Sequence, residues 1–251
     1  MIDLHSHILP GIDDGAHSLE TSMEMARTAV RDGIELVAAT PHVREDYPTA
    51  AAEMERLVAE LRGELEAAGI ALDLRSGGEI ALGRLDLLSD DELARFSLAG
   101  RTGYVLLEFP YHGWPMDLGE RVFQLGLKGL TAVLAHPERN AEVAERPARL
   151  EPLVAAGAIV QLTAASVDGR LGRTARSTSL ALLERGLAHL VASDAHVPHV
   201  RAIGLSSAAE ALGDAALARW LTQEVPGAIV AGTAIPARPP AGRRRRWWRR
   251  R

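Results

Sequence analysis

Short, continuously apolar runs alternate along this chain with longer segments whose apolar residues recur at helical spacing. The runs predict seven strands, at residues 2–5, 36–39, 72–76, 105–109, 131–135, 159–163 and 189–193. Strands that are apolar at successive positions are typical of parallel sheets, which are covered on both faces. The pattern therefore favours a sheet buried among helices.

The segments between these strands carry the helical pattern. They predict helices at residues 19–32, 49–68, 118–127, 144–156, 174–185 and 206–222. Ser18 is a suitable N-cap for the first helix, and Gly33 and Gly69 follow the first two. Consecutive strand–helix units of this kind predict an α/β fold, a TIM-like barrel of seven parallel strands with helices outside.

Length and composition agree with one catalytic domain. The chain has 251 residues, of which 47% are hydrophobic, and we predict a domain at residues 1–235 followed by a flexible basic tail at 236–251. Cysteine is absent, which excludes disulfides, thiolate metal sites and the cysteine nucleophile that many tyrosine phosphatases use.

The charge is unevenly distributed. The net charge is −5, yet the last nine residues, RRRRWWRRR, contain seven arginines, so the rest of the chain is strongly acidic and a general nucleic-acid surface is not expected. The N-terminal MIDLHSHILP lacks the features of a signal peptide, and we expect a cytoplasmic protein. Arginines around Trp247 and Trp248 would suit weak contact with anionic lipid at the inner face of the membrane; the alternative is a tail without a role.

Candidate metal ligands fall at the carboxyl ends of the predicted strands. They are His5, His7, His42, Glu79, Glu108, His136, Asp194 and His196. In a barrel of parallel strands these ends converge on one face, so residues distant in sequence would share one pocket. Asp14 lies in a loop between Gly11 and Gly15 that would let it reach back over that pocket.

The residue types indicate phosphate chemistry. Imidazole combined with carboxylate suits Mn²⁺, Fe or Zn²⁺, and so many ligands suit two or three ions, with Glu79 as a bridging carboxylate. Such ions activate water and neutralise charge on a phosphate ester. Arg139 and Arg201 are candidate phosphate clamps, although Arg139 would alternatively pair with Glu138 or Glu142.

Single residues in this set have ordinary structural explanations, and the prediction depends on their recurrence at successive strand ends. The remaining histidines are predicted to be surface or structural residues: His17, His112, His189 and His199. Asp3 and Asp13 either orient ligating imidazoles or are only strand-end and turn residues. Tyr47, Tyr104 and Tyr111 are predicted to be packing residues.

Several stretches resemble a known family. They are IDLHSHILPGIDDG at 2–15, ATPH at 39–42, GEI at 78–80, LEFP at 107–110, AHPERN at 135–140 and ASDAH at 192–196. Over about residues 1–235 the chain resembles the PHP (polymerase and histidinol phosphatase) superfamily of metal-dependent phosphoesterases. Within it, the chain is most similar to bacterial capsule-type tyrosine-protein phosphatases.

The resemblance implies a distorted, seven-stranded, TIM-like barrel, the PHP fold, with three metals that are usually manganese. It implies three ligand sets: His5, His7, Glu79 and Asp194; Asp14, His42 and His196; and Glu79, Glu108 and His136. It also implies that Arg139 and Arg201 bind the phosphate.

The same resemblance implies hydrolysis of phosphotyrosine by a metal-bridging hydroxide. The implied substrate is a membrane-associated bacterial tyrosine kinase of exopolysaccharide or capsule synthesis. Two alternatives stay open: a small-molecule phosphomonoesterase such as a histidinol-phosphate phosphatase, and a nuclease of the same superfamily. Metals that serve only as structural pins are the least favoured reading, since structural sites use fewer, tighter ligands.

Overall fold

The computed structural model describes residues 1–196 and 201–240 and has an α/β architecture with parallel sheets. The strands of these residues are β1 Ile2–Ser6, β2 Leu36–Ala39, β3 His42–Val43, β4 Asp73–Ser76, β5 Glu79–Ala81, β6 Tyr104–Glu108, β7 Thr131–Ala135, β8 Ile159–Thr163 and β9 Leu190–Ala192. They form a three-stranded sheet, β1-β2-β4, and a six-stranded sheet, β3-β5-β6-β7-β8-β9, in which neighbouring strands pair in parallel.

The described residues contain nine strands rather than the predicted seven. The two additional short strands, β3 and β5, each follow an irregular two-residue segment that ends the strand before it. Pro41, which has no N–H to donate, lies between β2 and β3. Gly77 and Gly78 lie between β4 and β5, and a Cβ on Gly78 would lie 2.6 Å from the Phe96 ring. The pairing of β2 with β4 continues beyond both breaks as β3 with β5.

The two sheets do not join into a continuous closed barrel. Between β1 and the segment after β9, the described residues make one isolated parallel bridge, Ser6 with Ala195. Two backbone hydrogen bonds support that seam: Asp194 N donates to His5 O over 2.8 Å, and His7 N donates to Ala195 O over 2.8 Å. The seam holds the first and last strand ends beside each other, which positions the candidate ligands that they carry.

Helices connect the strands. Over the described residues they are α1 Leu19–Arg31, α2 Ala51–Ala67, α3 Asp90–Arg95, α4 Leu118–Leu127, α5 Ala141–Glu145, α6 Glu151–Ala155, α7 Ala164–Val167, α8 Arg173–Arg185, α9 Ser206–Leu212, α10 Ala215–Arg219 and α11 Val225–Val230. The Ser18 hydroxyl caps α1 by accepting from Thr21 N, as predicted. No helix of these residues is sufficiently long and apolar to cross a membrane.

Two predicted helices are interrupted. The prediction at 144–156 is replaced by α5, a 3₁₀ turn at Pro147–Leu150, and α6, since Pro147 and Pro152 each lack an N–H for the preceding turn. The helix predicted at 206–222 is interrupted at Gly213, whose φ of +64° is left-handed. It is replaced first by α9, which ends before that glycine, and then by α10, which begins after it. The short helix α3 was not predicted; its capping box joins Ser89 and Glu92.

The chain after α11 crosses the amino ends of the strands. Tyr104 Oη, on the first residue of β6, donates to Thr233 O over 2.9 Å. Trp220 Nε1 donates to Pro236 O over 3.0 Å, and Arg238 donates to Leu183 O over 2.7 Å. The first residues of the predicted tail thus contact the domain, whereas its Arg/Trp run, like His199, lies outside the described residues.

Candidate metal centre

The loop after β1 folds back over the histidines that β1 carries. His5 lies on β1 and His7 just beyond it; both are buried, and their Nε2 atoms lie 3.3 Å apart. Ala16 N donates to His7 O over 2.9 Å, and a Cβ on Gly15 would lie 2.1 Å from that same carbonyl oxygen. Only glycine fits there, and this close approach brings Asp14 within 3.3 Å of both His42 and His196.

Asp13 orients one of these imidazoles. Its Oδ2 accepts from His7 Nδ1 over 2.7 Å and from His42 N over 3.0 Å, and its Oδ1 accepts from Gly15 N over 3.0 Å. Burial would raise the pKa of Asp13, but the hydrogen bonds, that of His7 foremost, lower it to about 2. Asp3 differs: it accepts from the backbone N–H groups of His5 and Ser193, and burial raises its pKa to about 6.

Glu79 lies at the centre of the cluster, fully buried at the start of β5. Its Oε1 is 2.9 Å from His136 Nε2, and its Oε2 is 2.9 Å from His42 Nδ1, 3.4 Å from His5 Nε2 and 3.5 Å from His7 Nε2. Among the described residues, Glu79 Oε2 and His42 Nδ1 are buried without a hydrogen bond of normal geometry. A cation between them would satisfy both atoms, so the residues present fit a metal.

Four groups of side chains place their ligand atoms within 4.8 Å of one another in the described residues. They are His7, Asp14, His42 and His196; His5, Glu79 and His136; His5, His7 and Asp194; and His42, Glu79 and Glu108. All nine predicted ligands occur in these groups, and four of them are each shared by two groups: His5, His7, His42 and Glu79. The structure therefore brings the predicted ligands together, while their division among individual ions stays a prediction.

The electrostatics suit cation binding. Burial would raise the pKa values of Glu79 and Asp194, but neighbouring histidines, His5 foremost, hold both well below the usual range. Burial, and then the nearby His7, lower the pKa of His196 to about 2, which keeps that imidazole neutral, the form that binds metals.

His136 and Asp194 have left-handed backbones, with φ of 40° and 50°, a conformation that concentrates at functional sites in proteins.

Two arginines, Arg139 and Arg201, lie at the edge of the cluster. Asp194 Oδ2 accepts from Arg139 over 2.6 Å and from Arg201 over 3.0 Å. Arg139 also donates to Tyr111 Oη over 2.7 Å, with its guanidinium carbon 4.7 Å from the centre of the Tyr111 ring. In the described residues Arg139 makes no ion pair with Glu138 or Glu142, so that alternative is wrong.

The chain matches the family model for capsular polysaccharide synthesis, CpsB/CapC, over residues 1–222. It belongs to the CpsB/CapC family. It is 41% identical over 199 residues to the tyrosine-protein phosphatase YwqE of Bacillus subtilis (strain 168), which covers 78% of this chain and 77% of YwqE. It is 31% identical to the putative tyrosine-protein phosphatase CapC of Staphylococcus aureus, over 78% of this chain and 77% of CapC.

A solved structure agrees with this assignment to the CpsB/CapC family. The crystal structures of YwqE from Bacillus subtilis and CpsB from Streptococcus pneumoniae are described as those of metal-dependent tyrosine phosphatases, and a chain from that work matches with a TM-score of 0.88 and 36% identity. The match covers 98% of this chain and 100% of the solved one. The resemblance inferred from the sequence motifs is therefore confirmed at the level of the family.

Sequence reasoning missed several residues around the centre of this CpsB/CapC chain. Arg44 donates to Glu108 over 3.0 Å and lies 5.1 Å from the Tyr47 ring. Gln161 contacts His5. Tyr111 is not only a packing residue, because it binds Arg139. The sequence did contain a signal for Gln161, because a polar residue there lies between the apolar residues Val160 and Leu162 of β8. For Arg44 the sequence offered no signal except its position two residues after His42.

The histidines predicted to lie outside the metal set do so where the structure describes them. His17 and His112 are exposed. His189 is half-buried, and its Nδ1 accepts from Val160 N over 3.1 Å. Burial, followed by the charge of Arg238, lowers the pKa of His189 to about 4.

Proposed function

We propose that this chain is a metal-dependent protein-tyrosine phosphatase that hydrolyses phosphotyrosine to tyrosine and inorganic phosphate. The observation that carries the proposal is the convergence of nine imidazole and carboxylate ligands on one face, with two arginines at their edge. The similarity to YwqE and CapC, which are named as a tyrosine-protein phosphatase and a putative one, supports the substrate class.

The donor set fits three divalent metals, Mn²⁺ by preference, with Fe or Zn²⁺ as alternatives. Their ligands would be His5, His7, Asp14, His42, Glu79, Glu108, His136, Asp194 and His196, with Glu79 as the bridge. When bound, such metals supply an activated water and neutralise charge on the phosphate oxygens.

The side chains at the edge of the cluster would bind the phosphate group of the substrate and hold it in position. Arg139 and Arg201 both reach Asp194 Oδ2, so their guanidinium groups lie where a phosphate beside the ligand cluster would contact them. Tyr111 supports Arg139 from the rim by a hydrogen bond and by its ring. We assign the two arginines to phosphate binding and Tyr111 to holding Arg139 in place.

The rim favours a protein substrate over a small metabolite. Asp14 and Tyr111 expose 40% and 43% of their surface, respectively, so the cluster reaches the outside. From Glu108 an open groove continues along the loop after β6, lined by Leu82, Pro110 and Trp114 among others. A phosphopeptide would be accommodated there, whereas a histidinol-phosphate phosphatase is expected to close around its substrate. The acidic body disfavours a nuclease.

The family's role in capsular polysaccharide synthesis supports a bacterial tyrosine kinase of that system as the partner. We infer a cytoplasmic location from such a partner.

We also infer that the fold is a distorted barrel in which seven strand positions surround the site, because β3 and β5 continue the pairing of β2 and β4. Contact of the tail with anionic membrane stays a prediction. Its test is deletion of residues 243–251 followed by liposome binding, and unchanged binding contradicts it.

The decisive experiment assays metal-replete protein on a phosphotyrosine peptide, a phosphoserine peptide and histidinol phosphate in parallel. We expect the highest kcat/KM on phosphotyrosine, loss of activity after EDTA treatment, and recovery on adding Mn²⁺. Full activity of metal-stripped protein would refute metal dependence. A higher kcat/KM on histidinol phosphate would refute the substrate class and leave metal dependence intact.

A further inference from the structure

Gln161 lies at the middle of strand β8, between the apolar residues Val160 and Leu162, and it is fully buried. Its Oε1 lies 3.0 Å from His5 Nδ1, and its Nε2 has no hydrogen-bond partner among the described residues. Burying an amide is costly unless it is hydrogen-bonded. The contact with His5 is thus the interaction that accounts for a glutamine at this position.

The opposite side of the His5 ring faces the cluster. His5 Nε2 lies 3.4 Å from Glu79 Oε2, 3.4 Å from Asp194 Oδ1 and 3.3 Å from His7 Nε2. To bind a metal through Nε2, the neutral imidazole must carry its hydrogen on Nδ1. A carbonyl oxygen beside Nδ1 accepts that hydrogen, whereas an amide NH₂ in the same place would force the hydrogen onto Nε2.

We propose that Gln161 is a positioning residue, which fixes the tautomer and the ring orientation of His5 so that Nε2 is presented to a metal. The inference rests on the proposed metal-dependent function and adds a residue 156 positions distant in sequence from the histidine that it serves. Partners of ligating imidazoles typically change metal affinity by 10–100-fold when they are replaced.

The two histidines of β1 are held differently. His7 is held by the carboxylate of Asp13, which lies in a loop and receives two backbone N–H groups. Gln161 lies between β7 and β9, where the backbone groups are used by the sheet. A charge at that position would be buried without such donors. A neutral amide provides the acceptor oxygen at lower cost.

A packing role and an acceptor role predict opposite results for two substitutions. Leucine retains apolar bulk and removes the acceptor, so Gln161→Leu would be tolerated if packing were the function. Glutamate retains an acceptor oxygen, so Gln161→Glu would preserve His5 only if acceptance is the function. Thr163→Val is a matched control, because Thr163 is buried two residues further along the same strand and its side-chain oxygen has no hydrogen bond within the part of the chain that the structure describes.

The test titrates Mn²⁺ into the full-length, metal-stripped chain by calorimetry, with thermal melting of each variant alongside. We expect at least tenfold weaker Mn²⁺ binding in Gln161→Leu and no change in Thr163→Val. Gln161→Glu should bind Mn²⁺ within threefold of wild type but melt at a lower temperature, because its carboxylate is buried without backbone donors. In ¹⁵N NMR spectra of the chain loaded with Zn²⁺, which unlike Mn²⁺ does not broaden nearby signals, His5 should carry its hydrogen on Nδ1 in the wild type and lose that signature in Gln161→Leu.

The outcomes separate the two proposals. Wild-type affinity in Gln161→Leu, or an equal loss in Gln161→Leu and Gln161→Glu, would overturn the positioning role while leaving the metal site in place. A wild-type chain that binds no Mn²⁺ would overturn the proposed function and this inference together.

Discussion

Replacing His189 with asparagine should make the fold less sensitive to acid. His189 immediately precedes β9, its ring lies 6.2 Å from that of Trp220, and its Nδ1 accepts the Val160 N–H. Protonation would remove that acceptor in a half-buried position beside Arg238. Burial, followed by the charge of Arg238, lowers the pKa of His189 to about 4 from an ordinary value of 6.5.

The direction in which stability changes with pH follows from how many protons the folded and the unfolded chain bind at His189. Below pH 6.5 the unfolded chain binds a proton at this histidine, whereas the folded chain does not until about pH 4. The contribution of His189 to stability is therefore complete above pH 6.5 and is lost as the pH falls toward 4. At about 1.4 kcal/mol per pKa unit, the loss between pH 7 and pH 5 is about 2 kcal/mol.

Urea unfolding of metal-stripped protein in EDTA, at pH 7 and at pH 5, measures this effect. The wild type should lose about 2 kcal/mol more than His189→Asn over that interval, because other groups titrate equally in both proteins. His17→Asn, which alters an exposed histidine, is the control and should follow the wild type. Equal losses in the wild type and His189→Asn would refute the reasoning.

Three further predictions concern the centre. Glu79→Gln should abolish Mn²⁺ binding measured by calorimetry, because four imidazoles surround that carboxylate; wild-type affinity would contradict its bridging role. Arg139→Met should lower kcat/KM on a phosphotyrosine peptide by about 10²–10³-fold without releasing metal, and an unchanged kcat/KM would contradict its contact with the phosphate. Gly15→Ala should lower both the melting temperature and Mn²⁺ affinity, because its Cβ would meet His7 O at 2.1 Å; Gly63→Ala, where a Cβ has open space, is the control.

The strand positions and the convergence of ligands could be predicted because both follow from local pattern. The apolar runs around Val133 and Val160 reflect burial on both sides of the sheet, and parallel strands place the residues after each run on one face. His136, for example, directly follows β7. No long-range information was needed to place the ligands near one another.

The remaining features depend on contacts that sequence periodicity does not contain. The break at Gly78 is set by Phe96, which lies on another element. The contact between Gln161 and His5 joins β8 to β1, and the one between Arg44 and Glu108 joins the residue after β3 to the end of β6. Each depends on how the elements pack, so the sequence predicted the candidate ligands and Asp13 as the partner of an imidazole, but it did not predict the roles of Gln161 and Arg44.

The crossing of residues 233–238 over the amino ends of the strands has a practical consequence for work with this protein. Tyr104 receives that segment at the first residue of β6, and Glu108 enters the ligand cluster at the last, about 13 Å further along the strand. The described chain thus leaves the domain on the side away from the metal cluster. An affinity tag, a fluorophore or a solid support joined beyond residue 240 would leave the opposite mouth free for a large phosphoprotein.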